Sequence, residues 1–221
     1  MPEMNLRQAL AKGLREALDT NDNVFLIGED IGMYGGPYAV TKDLFKDYGP
    51  EKIMDTPISE SGFVGAAIGS SMVGMKPIVE IMTINFSLLA IDQIVNHAAK
   101  MHYMSDGQLS VPIIIRTVTG AGGRLAATHS QSFEGWYASV PGLKVVAPSN
   151  PNDALGLLRS SVNDNNPIIF VEHSMLYGVN GEVPDQYYET PIGIPKILES
   201  GEDLTIIAWS GMIPVAQDVS S

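Results

Sequence analysis

Residues 55–82 read DTPISESGFVGAAIGSSMVGMKPIVEIM. The last six, Pro77 to Met82, form a compact apolar and β-branched run, the pattern of a strand buried on both faces. The stretch before them, from Ser61 to Met75, is 15 residues without a charge. Its Gly, Ala, Ser, Val and Ile content predicts a helix over 61–74 buried on all sides. Helix followed by continuous apolar strand is the unit of an open parallel sheet with helices on both faces.

Working outward, the unit repeats. VFLI (24–27), VPIIIRTV (111–118), KVVA (144–147), PIIFVE (167–172) and LTIIAW (204–209) read as further strands. Helical patterns fall near 5–19, 37–47, 61–74, 86–104 and 151–163. In the first of these Leu6, Leu10, Leu14, Ala17 and Leu18 share one face. The expected fold is α/β: a doubly wound, mostly parallel sheet with helices on both faces. Ligands in such folds lie at the carboxyl ends of the strands.

Residues 1–178 are expected to form this domain. The Pro-, Gly- and acid-rich stretch 179–203 reads as a linker. Residues 204–221, one strand and part of a helix, read as the incomplete start of a second α/β domain, too small to bury its own apolar faces.

Composition narrows the function. The 221 residues carry 13 Lys and Arg against 25 Asp and Glu, a formal charge of −12. An acidic chain without a basic cluster makes a poor nucleic-acid binder and does not suit anionic membranes. With no Cys, disulfides and thiolate metal sites are excluded. The N-terminus lacks the apolar core of a signal peptide, and no apolar run approaches the roughly 20 residues of a membrane span. The expectation is a soluble cytoplasmic protein.

Four places carry candidate chemistry. Glu60 stands alone at the head of the uncharged helix. One reading is a first-turn acid favoured by the helix dipole, with Ser59 or Ser61 as cap. The other is a carboxylate at the mouth of an apolar interface, where desolvation raises its proton affinity toward neutral pH. Gly62, Gly65, Ala66, Gly69 and Gly74 give that helix a smooth surface for close packing. Phe86, the first aromatic after the 77–82 strand, is either core or ligand contact. Gly120, Gly122 and Gly123 imply left-handed backbone or a close approach, and lead to His129, an acid/base candidate. Glu29 and Asp30 follow the first strand. No His or acid spacing indicates a metal, and there is no Gly-x-Ser-x-Gly elbow.

GED (28–30), DTPISESGF (55–63), EIMTINF (80–86), AIDQIVNHAAK (90–100), HSQSFEGWY (129–137), PGLKVVAPS (141–149) and DNNPIIFVEH (164–173) occur in this order. Together they resemble the β subunits of the pyruvate dehydrogenase first component, among the thiamine-diphosphate-dependent 2-oxo acid dehydrogenases. The resemblance runs from about residue 4 to the end. It implies a thiamine diphosphate shared between chains, with this one holding the aminopyrimidine ring. Glu60 would bond a ring nitrogen and promote the imino tautomer, Phe86 would stack on the pyrimidine, and His129 would assist proton or acyl transfer. Glu29 would join an acidic cluster between paired active sites. The activated cofactor attacks a 2-oxo acid, CO₂ leaves, and the acyl group passes to lipoamide.

The resemblance also implies a potassium ion held by the backbone at Ile114 or Ile113, Ser161, Val162, Asp164 and Asn166. Leu89 stands where some relatives carry a polar residue. The Gly-Asp-Gly-then-Asn motif for Mg²⁺ and diphosphate is missing; SDGQ (105–108) does not supply it. An α subunit is therefore expected to hold Mg²⁺ and the diphosphate in an α₂β₂ assembly. A lipoyl-bearing acyltransferase is a further partner, its docking impaired by the missing C-terminal domain. Two alternatives remain: an acetoin or branched-chain dehydrogenase β subunit, and a non-catalytic nucleotide-binding module using Gly120 to Arg124.

Overall fold

A computed structural model describes residues 2–120 and 123–220. Gly122, one of the three loop glycines, lies outside the described residues. The chain runs through β1 (Glu3–Asn5), α1 (Leu6–Thr20), β2 (Val24–Gly28), α2 (Leu44–Tyr48), β3 (Ile53–Asp55), α3 (Glu60–Ser71) and β4 (Lys76–Ile81). After α4 (Met101–Met104) come β5 (Ile114–Thr119), α5 (Glu134–Ala138), β6 (Lys144–Val146), α6 (Pro151–Asn163), β7 (Ile168–His173), β8 (Asn180–Glu182) and α7 (Met212–Ser220).

Six strands form the central sheet in the order β3-β2-β4-β5-β7-β6, with every neighbouring pair parallel. Successive side chains in a strand point to opposite faces. Leu26, Ile78, Ile114, Ile168 and Phe170 therefore meet Leu6, Leu10 and Leu14 of α1 and Leu158 of α6 on one face. Ile27, Val79, Ile115, Ile169 and Val171 meet Phe63, Val64, Ala67 and Ile68 of α3 on the other. This is the doubly wound arrangement that the alternation of strands and helices predicts.

Asn5 caps α1 reciprocally with Gln8, each side chain accepting the other's backbone N–H at 2.9 Å. Asn150 caps α6, and Pro151 sits in its first turn, where its missing N–H costs nothing.

Several expectations are corrected. Between 37 and 47 only Leu44–Tyr48 is helical; left-handed backbone at Gly35, Gly36, Ala39 and Asp43 rules out a longer helix. The long helix over 86–104 changes winding twice: a 3₁₀ segment at Ile84–Ala90, a π segment at Gln93–Ala98, then α4. Thr83, Asn85 and Ser87 start it with side-chain bonds that compete with regular helix. No strand forms over 204–209, because no neighbouring strand pairs with it; Leu204, Ile207 and Trp209 are exposed. Helix α3 is not buried all round: Ser61, Gly62, Ala66 and Gly69 face solvent in the single chain.

The expected linker is tied down over its first part. Strand β8 pairs antiparallel with β1. Tyr188 Oη donates to the Asn152 carbonyl at 2.8 Å, and Ser160 donates to the Thr190 carbonyl at 2.6 Å.

Candidate active site at the carboxyl edge of the sheet

Glu29, Phe86, His129 and His173 all follow or end strands at the carboxyl edge of the sheet, and Glu60 opens α3 at the same edge. Glu29 is the first residue beyond β2. Glu60 is the first residue of α3 and only 3% exposed. Ser59 precedes it without making a side-chain cap bond. The Ser59 side-chain cap is therefore not formed, while Glu60 does stand in the first turn, as the helix-dipole reading expects; among the described residues no hydrogen bond satisfies its carboxylate.

The two acids are coupled. Burial pushes the Glu29 carboxyl above the usual range; the negative charges of Glu60 and Asp30 raise it further, and the Ser59 N–H pulls it back. Glu29 Oε1 is buried without a hydrogen-bond partner among the described residues. Two carboxylates sharing a secluded corner, one with an orphaned oxygen, fit a site whose remaining donor comes from elsewhere.

Helix α3 packs against the 84–90 segment, and that segment packs against the turn Thr128–Ser130. The second contact brings Phe86 and His129 together. Their ring centroids lie 5.3 Å apart at 86°, edge to face. Phe86 is half-buried against the α3-side core. Its segment is anchored from below, where Ser87 bonds Tyr137 Oη at 2.5 Å and both residues are buried. The base of the His129 loop is closed by Gly120 N–H to the Gln131 carbonyl (3.2 Å) and by Thr119 Oγ1 donating to Ser132 (3.1 Å).

The residues expected around potassium lie at the opposite edge. Ile114, Ser161 and Val162 line one gap there with Lys76. The Val162 carbonyl already accepts Lys76 Nζ at 2.8 Å, and the Ile113 carbonyl accepts the Ile168 N–H. The Asp164 carboxylate accepts from Lys144 and from the Asn166 amide. Those contacts hold it below the usual carboxylate range against the opposing pull of burial. No group of three or more His, Asp and Glu side chains among the described residues could hold a metal ion.

Beneath the carboxyl edge, on the α1 face, lies a network that sequence reasoning missed. Arg116 of β5 bonds both oxygens of Glu172 in β7 at 2.7 and 3.0 Å, and Glu80 of β4 at 2.7 Å. Tyr177 Oη donates to Glu172 at 2.7 Å. Burial drives the Glu80 carboxyl up despite the guanidinium. The two carboxylates hold the Arg116 guanidinium above its ordinary range. The signal was present: one lone charge near the end of each of three otherwise apolar strands.

Residues 2–179 match the transketolase pyrimidine-binding domain. Over 218 residues the chain is 47% identical to pyruvate dehydrogenase E1 component subunit beta-2, mitochondrial, of Oryza sativa subsp. japonica, covering 97% of this chain and 58% of that one. The bovine mitochondrial subunit beta is 47% identical over 212 residues, covering 94% and 59%. The Rickettsia felis subunit beta is 44% identical over 219 residues, covering 99% and 67%. The chain belongs to the pyruvate dehydrogenase E1 β-subunit family.

It spans about three fifths of the length of the plant and bovine members. The family's fold is shared with a split-gene transketolase, solved as an inactive beta4 tetramer, at a TM-score of 0.77 and 20% identity, covering 97% of this chain and 66% of that one. A Campylobacter jejuni transketolase superposes at 0.64 and 15% identity over 78% of this chain and 26% of that one. For this family member, no helix among the described residues is long and apolar enough to cross a membrane.

Proposed function

We propose that this chain is the pyrimidine-holding half of a thiamine-diphosphate-dependent pyruvate dehydrogenase first component, active only with an α subunit. The observation that carries this reading is Glu60: a secluded carboxylate with no hydrogen bond among the described residues, at the head of an otherwise uncharged helix. The orphaned Glu29 oxygen beside it and the half-buried Phe86 ring supply the rest of a cradle for a flat, nitrogen-bearing ring. When bound, thiamine diphosphate supplies the nucleophilic carbon and electron sink needed to expel CO₂ from a 2-oxo acid.

The chain's own residues position and tune. Glu60 holds a proton against a pyrimidine nitrogen, a task that suits a carboxyl shielded from water. Glu29, with its raised proton affinity, keeps a second proton in reach. Phe86 offers a flat apolar face. His129, braced by Phe86, moves a proton at the substrate carbonyl oxygen. An α subunit would contribute the diphosphate and Mg²⁺ contacts, and the smooth exposed face of α3 is where close association with another chain costs least side-chain entropy. The lipoyl acyltransferase would accept the acyl group. Potassium would compete with Lys76 for the Val162 carbonyl, so no step is assigned to it.

The test is Glu60→Gln in the complex reconstituted with an α subunit. Assembly should persist while decarboxylation falls by about 10²–10⁴-fold, the usual range for a lost acid/base group. Near-normal turnover would return Glu60 to a structural role. Equilibrium dialysis gives an independent check. The lone chain should bind thiamine diphosphate weakly and NAD or ATP not at all, and adding the α subunit should tighten only the first.

A further inference from the structure

His173 ends β7 in register with Thr119 of β5. Its Nδ1 accepts the Met175 N–H at 3.3 Å. The other side of the ring fills the space between two glycines. A Cβ on Gly120 would lie 2.9 Å from His173 Nε2, and one on Gly211 would lie 2.8 Å away. Both are closer than real Cβ contacts, so the ring is in direct contact with both backbones.

These two contacts join separate parts of the molecule. Gly120, at φ +86°, follows β5 at the start of the segment that leads to His129, and its N–H bonds the Gln131 carbonyl at the far end of that segment. Gly211 belongs to the turn ahead of α7. Its neighbour Ser210 adopts a left-handed φ of 51°, is 4% exposed, and has a buried Oγ without a partner among the described residues. A non-glycine residue holds such a backbone only where its surroundings enforce it. Something therefore holds the Ser210–Gly211 turn down, and His173 is what Gly211 rests on.

We propose that His173 is a positioning residue that couples the seating of the Ser210–Gly211 turn to the placement of the His129 loop. With the turn seated, the imidazole is pinned against Gly120 and the loop base keeps its Gln131 bond. When the turn lifts, the ring gains room and Gly120 loses its backstop. Burial lowers the His173 pKa, with Glu134 of α5 opposing. The ring is then neutral at physiological pH and can remain an acceptor for Met175. The coupling is mechanical and does not depend on which cofactor the site holds.

Limited trypsin digestion of the 221-residue chain tests this. Arg124 is the one tryptic site between Gly120 and Gln131 and is exposed; exposed Lys46 on α2 is the reference. Cleavage at a structured site tracks local opening. His173→Ala should raise the Arg124-to-Lys46 cleavage ratio by about fivefold or more. Gly211→Val, which leaves His173 intact, should do the same by lifting the turn. His173→Gln, which keeps an acceptor and most of the bulk, should fall between. If Gly211→Val stays within twofold of wild type, the coupling is refuted, even if His173→Ala shows the rise; a flat result in both variants also refutes it. If His173→Ala accelerates Lys46 cleavage equally, it is unfolding globally, and His173→Gln with Gly211→Ala then decides on the same ratio.

Discussion

At the scale of single residues, the carboxyl edge depends on the contrast between Glu60 and Glu29. Glu60 was legible in the sequence because it is the one charge in a run of small residues. Its coupling to Glu29 was not, since that contact depends on where β2 ends relative to α3. The coupling has a pH signature. Glu29 binds its proton more tightly folded than unfolded, so folding is penalised where the group must ionise. Stability therefore rises as pH falls through the folded pKa toward the unfolded value near 4.3, and is flat below it. Glu29→Gln removes that penalty. It should raise Tm by roughly 1–2 °C at pH 7.5 and leave it unchanged at pH 4, since a part-exposed group is screened by solvent. Thermal melts at the two pH values check this; stabilisation at pH 4 would contradict the assignment.

At the scale of elements, apolar runs foretold most of the central sheet: Ile78, Ile114 and Ile168 sit side by side in register because parallel strands covered on both faces want the same residues. Strands β1, β3 and β8 escaped because EMN, IMD and NGE hold no apolar run of the kind that marks the equally short β6. The broken winding after β4 escaped because Ser87 finds its partner fifty residues away, at Tyr137. That buried pair makes a prediction. Tyr137→Phe removes the bond to Ser87, whose hydroxyl keeps the Ile84 carbonyl; it should cost about 0.5–1.5 kcal/mol in a denaturant titration, and the Phe86 segment above it should exchange amide protons faster. The Arg116 network ties β4, β5 and β7 more strongly. Arg116→Met leaves two buried carboxylates unpaired and should cost about 3–5 kcal/mol, a Tm loss on the order of 10 °C. Adding Glu80→Gln and Glu172→Gln to that variant should recover most of the loss. Failure to recover would mean that Arg116 acts by packing.

At the scale of the whole molecule, the N-terminal sheet and its helices close a core on both faces, but residues 204–220 do not. Ile206, Ile207, Trp209, Met212, Val215 and Val219 line an open apolar groove of about 350 Å³. The sequence showed the helix and an apolar pattern too small to bury its own faces, but it also read 204–209 as a strand, which does not form without a neighbour to pair with. Exposed apolar side chains gathered on one face favour association. The chain alone should therefore bind a hydrophobic dye such as ANS and self-associate with rising concentration. Ile207→Lys with Val219→Lys places charges in the groove without touching the sheet core. The pair should cut ANS fluorescence several-fold and shift the sedimentation profile toward monomer. The unfolding midpoint of the sheet domain should hold within about 2 °C, because exposed substitutions away from buried features change stability little. Unchanged association would place the sticky surface elsewhere, with the solvent-facing small residues of α3 the next to substitute. Loss of the folded core would show that this segment stabilises the sheet domain through more than the contact of Gly211 with His173.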